Sequence, residues 1–271
     1  MRLIRFEDEA GRVQFGCDPD DGFSRATLLS GSPLDGGKPT GETAGIGRLL
    51  CPIEPRAILC IGLNYRDHAR ETGAELPKFP VLFLKNPASA HHPGAPVRLP
   101  ACSTGPEVDY EVELAAVIGK AARDVDEADA LDYVLGYTVG NDVSARRWQK
   151  SGGGGQWNRG KSFDTFCPFG PAIVTPDEVG EPQELALSTT LNGSTMQSSN
   201  TREMIFPVAR LIAFLSQDTT LLPGTLLMTG TPAGVGVARE PKVFMKAGDS
   251  VTCEIETLGE LTNPIVEPGA A

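Results

Sequence analysis

Four acidic residues alternate with apolar ones over a short stretch of the chain, E-V-D-Y-E-V-E-L at positions 107–114. Successive side chains of a β-strand point to opposite faces, so the pattern predicts a strand with one apolar and one acidic face. Residues i and i+2 lie about 6–7 Å apart, so their carboxylates can converge on one cation. Such ligands favour a hard ion, namely Mg²⁺, Mn²⁺ or Ca²⁺. The alternative is a solvent-exposed face of an edge strand.

A further acidic residue follows an apolar stretch, V-L-G-Y-T-V-G at 134–140, where Asn141 precedes Asp142. The pattern predicts a buried strand that ends in a carboxylate. Arg146 and Gln149 come soon after, and an aspartate near an arginine at a strand end is typical of a functional site. The alternative is a simple turn or a helix cap. This second acid shifts the balance toward a cation site.

His68 and Glu71 lie three residues apart on a short predicted helix, residues 65–71, which ends before Gly73. Residues at this spacing share one face of a helix. A histidine oriented by a carboxylate can serve as a general base near neutral pH. Charged neighbours on both sides of His68 also fit a polar surface helix, and that is the better interpretation of this stretch taken alone.

Residues 155–162, G-Q-W-N-R-G-K-S, match the phosphate-binding pattern G-x-x-x-x-G-K-[ST]. That motif requires a buried strand before it and a helix after it. A polar stretch precedes this segment, and two prolines follow it and exclude a sustained helix. We therefore reject nucleotide binding and expect a flexible loop that carries Gln156, Arg159 and Lys161.

The chain of 271 residues carries a net charge of −11, with 35 acidic and 24 basic residues. This charge argues against nucleic acid or an anionic membrane as a partner. No apolar stretch approaches the ~18 residues of a membrane span, and the charged N-terminus does not resemble a signal peptide. We therefore expect a cytoplasmic protein. The six cysteines are scattered, which argues against a zinc finger and against a disulfide framework.

The elements that position these side chains are mostly strands, because the 31 glycines and 22 prolines predict many turns. Strands are predicted at 57–63, 81–85, 107–114, 134–143, 172–175, 225–230 and 250–258. Residues 185–199 are predicted to form a hairpin with a tight turn at Asn192–Gly193. Two more helices are predicted over 126–134 and 202–216. A Gly/Pro/Thr-rich loop at 30–47 closes a small N-terminal β domain, residues 1–52, which precedes a larger domain, residues 53–271, that holds the candidate site.

Seven stretches of the chain resemble, in order, the fumarylacetoacetate hydrolase family. They are I-G-L-N-Y-R-D-H-A-R-E (61–71), V-L-F-L-K (81–85), D-Y-E-V-E-L-A-A-V-I-G (109–119), G-Y-T-V-G-N-D-V-S-A-R (136–146), R-G-K-S-F-D-T-F-C-P-F-G-P (159–171), N-G-S-T-M-Q-S-S-N-T (192–201) and L-M-T-G-T-P-A-G-V-G (227–236). Because several motifs agree at once, the resemblance is specific at the level of the family.

The resemblance implies a mainly β (α+β) fold, a mixed β-sandwich roll with a small N-terminal domain, in a homodimer. It implies that Glu111, Glu113 and Asp142 bind one divalent ion, for which we expect Mg²⁺, with Mn²⁺ or Ca²⁺ as alternatives. Glu107 and Asp109 would be outer neighbours of that ion.

The resemblance also implies a pocket for a small anionic oxo-acid. Its expected substrate-binding residues are Arg146, Gln149, Thr165 and Thr231. Lys161 would act on the substrate as a catalytic residue, and His68 and Glu71 would form a catalytic pair on a lid helix.

The leading functional hypothesis is a metal-dependent hydrolase that cleaves a C–C bond in acylpyruvate-like 2,4-dioxo acids through a metal-bound enolate. The first alternative keeps the site and changes the reaction, to decarboxylation or tautomerisation of oxaloacetate or to isomerisation of a hydroxy-dienedioate. The second alternative is a β module that binds a cation without catalysis.

Overall fold

The computed structural model describes residues 1–269, and β-strands make up most of its regular structure. The strands are β1 (Arg2–Asp8), β2 (Val13–Cys17), β3 (Arg25–Leu29), β4 (Pro39–Leu50), β5 (Ala57–Gly62), β6 (Val81–Lys85), β7 (Ala90–His91), β8 (Val97–Arg98), β9 (Val108–Asp109), β10 (Val112–Ile118), β11 (Val134–Asn141), β12 (Ser144–Ala145), β13 (Cys167–Val174), β14 (Ala186–Leu191), β15 (Ser194–Asn200), β16 (Thr225–Met228), β17 (Ser250–Ile255) and β18 (Gly259–Val266).

The helices are short. The α-helices are α1 (Arg66–Thr72), α2 (Trp157–Lys161), α3 (Pro176–Val179) and α4 (Val208–Leu215). Single turns of 3₁₀ helix lie at Pro33–Asp35, Pro87–Ser89, Thr201–Glu203 and Gly236–Ala238, a longer 3₁₀ segment at Glu127–Tyr133, and a π-helix at Trp148–Gly152. Within residues 1–269, no helix has the length and apolar character needed to cross a bilayer.

Two mixed sheets form the sandwich. The large sheet has eleven strands in the order β2-β3-β4-β1-β13-β11-β10-β16-β5-β6, with β7 paired to β13. The second sheet has five strands in the order β15-β14-β17-β18-β8, and β9 pairs with β12 separately. Apolar side chains of β10 and β11 pack with those of β14, β17 and β18 in one buried core, together with α4. The predicted mixed β-sandwich is confirmed.

Strands β1–β4 form the N-terminal part of the large sheet. Pairing of Arg2 with Val174 and of Leu3 with Ile173 joins β1 to β13, so this part continues the sheet rather than lying apart from it. It also has a small core of its own around Phe6. The boundary near residue 52 remains a prediction.

The acidic stretch differs from its predicted form in two ways. It forms two strands, β9 and β10, with a break at Tyr110 and Glu111. All eight of its side chains are buried, including the four acids. The alternative of a solvent-exposed acidic face is therefore wrong, and the acids need partners inside the protein.

The predicted helices are confirmed in part. Helix α1 lies where it was expected and ends at Gly73, which adopts φ +65. The segment 126–134 is a 3₁₀ helix instead. Helix α4 begins later than predicted, after Pro207, whose ψ of 159° is not helical. The flexible loop expected at 155–162 contains helix α2.

Candidate active site

Pairing of β10 with β11 brings the two acidic segments together. Val112 lies opposite Asn141 in an antiparallel register, so Asp142 falls beside Glu111. The Asp142 amide donates to the Glu111 carbonyl at 2.9 Å, and the Glu111 amide donates to Asn141 Oδ1 at 3.0 Å. These bonds fix the backbone around the break in the acidic stretch. Residues 31 positions apart in the chain therefore share one site.

Glu111, Glu113 and Asp142 form a buried carboxylate cluster, in which one oxygen of each lies within 4.8 Å of the others. Glu113 Oε2 accepts a hydrogen bond from the Gly230 amide at 2.8 Å. Gly230 has φ +101, and a Cβ there would lie 2.7 Å from Cβ of Asn64, so this contact requires glycine. Burial, with Asp142 and Glu111 nearby, raises the pKa of Glu113 well above its ordinary value.

Two lysines that are far apart in the sequence, Lys85 and Lys161, contact this cluster. Lys161 Nζ donates to Glu111 at 2.7 Å and to Asp142 at 2.6 Å. Lys85 Nζ pairs with the other oxygen of Asp142 and donates to the Val143 carbonyl at 3.2 Å. Both lysine side chains are almost completely buried.

Sequence reasoning missed Lys85. The alternation of strand β6 could have indicated it. Lys85 lies on the same face of the strand as Phe83, which is buried, whereas Leu82 and Leu84 are exposed. A lysine on the buried face of a strand needs a carboxylate partner.

Arg146 links the cluster to Asp109. Its guanidinium contacts Asp109 at 2.7 Å and Glu111 at 2.7 Å, and it donates to Gln149 Oε1 at 3.0 Å. Burial opposes ionisation of Glu111, but Lys161 and Arg146 outweigh it and lower the pKa of Glu111 to about 2. Glu111 is therefore a carboxylate at neutral pH.

Asp109 connects Arg146 to the backbone of a neighbouring segment. Besides Arg146, it accepts hydrogen bonds from the backbone amides of Gly236 at 2.8 Å and Val237 at 3.0 Å. These amides belong to the segment that follows β16, so Asp109 holds that segment against the arginine.

Helix α1 carries the expected catalytic pair, with His68 Nδ1 3.2 Å from Glu71 Oε2. The other Glu71 oxygen accepts from the Gly234 amide at 2.9 Å. Asp67, on the same helix, accepts from the Ser199 hydroxyl at 2.6 Å. These contacts hold α1 against the rest of the site.

A cavity of about 250 Å³ lies between α1 and the carboxylate cluster. Its lining residues are Ile61, Gly62, Leu63, His68, Thr72, Phe83, Glu111, Glu113, Arg146, Gln149, Lys150, Trp157, Lys161, Thr231, Val235 and Val237. The volume is below the roughly 300–1,000 Å³ typical of sites for drug-sized ligands, which indicates a small ligand.

The cavity brings together most of the expected site residues. Thr231 lines it, and its hydroxyl oxygen accepts from Gln197 Nε2 at 2.8 Å. Thr165 does not belong to the lining: its hydroxyl accepts from the Arg98 amide at 2.9 Å instead. The structure therefore separates Thr165 from the expected substrate-binding group.

The carboxylate cluster fits a divalent cation. It offers oxygen ligands alone, which suit a hard ion, and three carboxylates leave about half of an octahedron for water and ligand. The only hydrogen bond to the Glu113 carboxylate from residues 1–269 comes from Gly230, so Glu113 keeps an oxygen for a metal. The identity of the ion remains a prediction.

Comparison with known proteins gives a consistent result. A family model described as the C-terminal part of fumarylacetoacetate hydrolase matches residues 57–266. A mitochondrial oxaloacetate tautomerase of Xenopus laevis is 51% identical over 219 residues, which cover 80% of this chain and 68% of that protein. The human mitochondrial oxaloacetate tautomerase is 49% identical over 218 residues, with 80% and 69% covered.

One solved structure is similar to this protein over the full length of both chains. The 2-hydroxyhepta-2,4-diene-1,7-dioate isomerase from Mycobacterium marinum has a TM-score of 0.85 and 41% sequence identity, and the match covers 100% of both chains.

The names of the two tautomerases place them in mitochondria. This finding contradicts the cytoplasmic location expected from the charged N-terminus, and that expectation is wrong.

Proposed function

The chain belongs to the fumarylacetoacetate hydrolase family and is an enzyme; from this premise we propose that it interconverts the keto and enol forms of oxaloacetate or a similar small 2-oxo acid. The leading hypothesis from sequence, hydrolysis of a C–C bond, has less support. Relatives at 49–51% identity are named as oxaloacetate tautomerases, and a structure that matches the whole chain is an isomerase.

The observation that carries the proposal is the cavity itself. It places a histidine–carboxylate pair opposite buried cations and a carboxylate cluster, within a space that suits a small ligand. A β module that only binds a cation would not need a histidine at this cavity, held in place by Glu71.

Arg146 and Lys161 supply positive charge at the inner end of the cavity. A 2-oxo acid carries a carboxylate next to a ketone, and both groups can be held by cations. Because Gln197 donates to the Thr231 oxygen, the Thr231 hydroxyl hydrogen is free to donate to the substrate. A bound Mg²⁺ or Mn²⁺ would polarise the ketone and stabilise negative charge on its oxygen.

His68 would move the proton. In the keto form, one C3–H bond breaks and the proton passes to His68, while the electron pair moves to the ketone oxygen. His68 then returns this proton to the ketone oxygen, which gives the enol and restores the neutral imidazole, so no water is consumed. Glu71 holds His68 through its 3.2 Å contact and stabilises the imidazolium that forms.

Isomerisation of a hydroxy-dienedioate would use the same groups, because it too moves a proton between carbon and oxygen. Hydrolysis remains a second candidate because the matching family model is that of a hydrolase. It would need His68 to activate water instead. Decarboxylation would need only the polarised ketone.

The test follows freshly dissolved enol oxaloacetate with Mg²⁺ by ultraviolet absorbance and by NMR. Tautomerisation accelerates loss of the enol without release of pyruvate, whereas decarboxylation releases pyruvate and CO₂. Acetylpyruvate, assayed in parallel, yields acetate and pyruvate if the chain is a hydrolase. Cleavage of acetylpyruvate with no acceleration of enol decay would reject tautomerisation in favour of hydrolysis.

A further inference from the structure

Three basic residues line the cavity: Arg146, Lys150 and Lys161. Arg146 is paired with Asp109 and Glu111, and Lys161 is paired with Glu111 and Asp142. The Lys150 ammonium, by contrast, has no ion pair or hydrogen bond with any side chain of residues 1–269. Its charge is therefore the one at this cavity that protein carboxylates do not neutralise.

Lys150 also lines the exposed part of the cavity, whereas the carboxylate cluster is buried. Glu113 and Lys161 are buried, whereas Lys150 and Thr72 are exposed, so the cavity extends from a closed inner end to an open rim. Lys150 belongs to the π-helix Trp148–Gly152 and follows Gln149, which is buried at the same cavity. Short π-helical segments occur frequently at functional sites.

We propose that Lys150 binds the second carboxylate of a dicarboxylic substrate and thereby selects dicarboxylic over monocarboxylic 2-oxo acids. This inference rests on the proposed function. It assigns the first carboxylate and the ketone to the inner end of the cavity, and the far carboxylate to the rim.

The charge of the whole chain favours an unpaired cation at this position. A net charge of −11 repels dianions, and the other cations at the cavity are already paired. An ammonium on a flexible four-carbon stem can reach carboxylates at different distances from the ketone. A four-carbon and a longer dicarboxylic acid could therefore both be accepted, but an uncharged end group would gain nothing.

The experiment compares oxaloacetate with its 4-ethyl ester, which lacks only the far charge. The quantity measured is the ratio of kcat/KM for enol loss with the two substrates, at saturating Mg²⁺. Since one charge-assisted contact at a partly exposed site is removed, Lys150→Met should lower this ratio on the order of 10-fold. Lys150→Glu should lower it further, and Lys150→Arg should retain most of it.

Lys38→Met is the matched control, because Lys38 is exposed, lies in the N-terminal part and does not line the cavity. This control should leave the ratio unchanged. An unchanged ratio in Lys150→Met, or an equal loss with both substrates, would overturn the assignment of Lys150.

A binding measurement separates this inference from the proposed function. Calorimetry with Mn²⁺ compares 2-oxoglutarate with 2-oxopentanoate, which differ by the far carboxylate. Lys150→Met should lose its preference for 2-oxoglutarate even if neither oxaloacetate nor its ester is turned over. If Lys150→Met loses the preference for 2-oxoglutarate but the parent turns over neither oxaloacetate nor its ester, the proposed tautomerase activity is rejected and the role of Lys150 is kept. If the parent turns over oxaloacetate but Lys150→Met has the same binding preference as the parent, the role of Lys150 is rejected and the tautomerase activity is kept.

Discussion

Lys85 is a buried cation whose main partner is Asp142. Without a metal, this ammonium and Lys161 balance the charge of the carboxylate cluster. Removal of one partner from a buried ion pair costs about 3–5 kcal/mol, because the other charge is left uncompensated. Lys85→Met should therefore lower the free energy of unfolding of the metal-free protein by about that amount.

Mg²⁺ should reverse part of that loss, since a divalent ion supplies the missing charge. The increase in Tm on addition of Mg²⁺ is expected to be larger for Lys85→Met than for the parent. Thermal unfolding with and without Mg²⁺ measures both effects, and Lys38→Met serves again as the control. An equal Mg²⁺ shift in both proteins would show that Lys85 does not compensate the cluster.

Glu113 is the cluster member with the fewest protein partners, which suits a metal ligand. Glu113→Gln keeps the shape and the acceptor for the Gly230 amide but removes one charge and one strong ligand. We expect Mn²⁺ affinity to fall by about 100-fold or more, since even changes around the ligands cost about 10–100-fold.

Calorimetric titration with Mn²⁺ measures this fall. Glu42→Gln, at an exposed position of β4, is the control and should bind Mn²⁺ like the parent. Parental affinity in Glu113→Gln would remove Glu113 from the ligand set.

At the scale of elements, helix α1 presents the base to the cavity. His68→Gln should lower kcat by about 10²–10⁴-fold, the usual range for loss of a general base. Metal binding should be unaffected, because none of the three carboxylates contacts the His68 side chain through a hydrogen bond. Glu71→Gln should lower kcat less, since an amide oxygen can still accept from Gly234 or from the imidazole.

The measurement is turnover of enol oxaloacetate at saturating Mg²⁺, with Mn²⁺ affinity determined in parallel. If His68→Gln retains parental kcat, the base lies elsewhere. His91 and His92 are the other histidines, but burial lowers the pKa of His91 to about 4, and His92 Nδ1 accepts from the Cys51 amide.

Strand β15 supports the site through Gln197. Its side-chain oxygen accepts from the Val112 amide at 3.0 Å and from the Thr189 hydroxyl at 2.8 Å. Its nitrogen donates to Thr231 Oγ1 at 2.8 Å and to the Pro232 carbonyl at 3.0 Å. One buried side chain therefore connects the second sheet to the residue between Glu111 and Glu113 and to the cavity.

Gln197→Leu should lower the free energy of unfolding by about 2–5 kcal/mol, because it leaves several buried polar groups unpaired. Gln197→Glu should instead raise KM, since a carboxylate cannot donate to the Thr231 oxygen. Urea unfolding and steady-state kinetics measure the two effects. Gln217→Leu, at an exposed position, should change neither, and parental stability in Gln197→Leu would contradict this role.

At the scale of the whole molecule, the homodimer remains a prediction. Strand β6 ends the large sheet, and its side chains Leu82 and Leu84 are 47% and 45% exposed. Phe79, two residues before the strand, is 64% exposed. Clustered apolar side chains of this kind mark interaction surfaces. We expect a dimer in solution and a monomer for the double substitution Leu82→Lys and Leu84→Lys.

Light scattering coupled to size-exclusion chromatography measures the mass of each species. Val13→Lys changes an apolar residue that is 50% exposed in the N-terminal part, and it should remain dimeric. A monomeric parent would reject the dimer, and a dimeric double variant would move its contact away from β6.

Local patterns in the sequence were sufficient for several parts of the fold and the site. Short apolar stretches between turns predicted most of the strands, and the Asn192–Gly193 turn, with φ of +52° and +78°, joins β14 to β15 as expected. Spacing alone put His68 and Glu71 on one helix face. Carboxylates in the acidic stretch and after β11 indicated oxygen ligands for a hard cation, because ligand type is a property of the side chain itself.

Only the tertiary structure decided how those side chains are used. The acidic stretch has one periodicity, yet Asp109 supports Arg146 while Glu111 and Glu113 face the cavity, because the chain breaks between β9 and β10. Lys85 meets Asp142 57 positions away in sequence. Such contacts depend on which strands pair and in which register, and no local pattern contains that information.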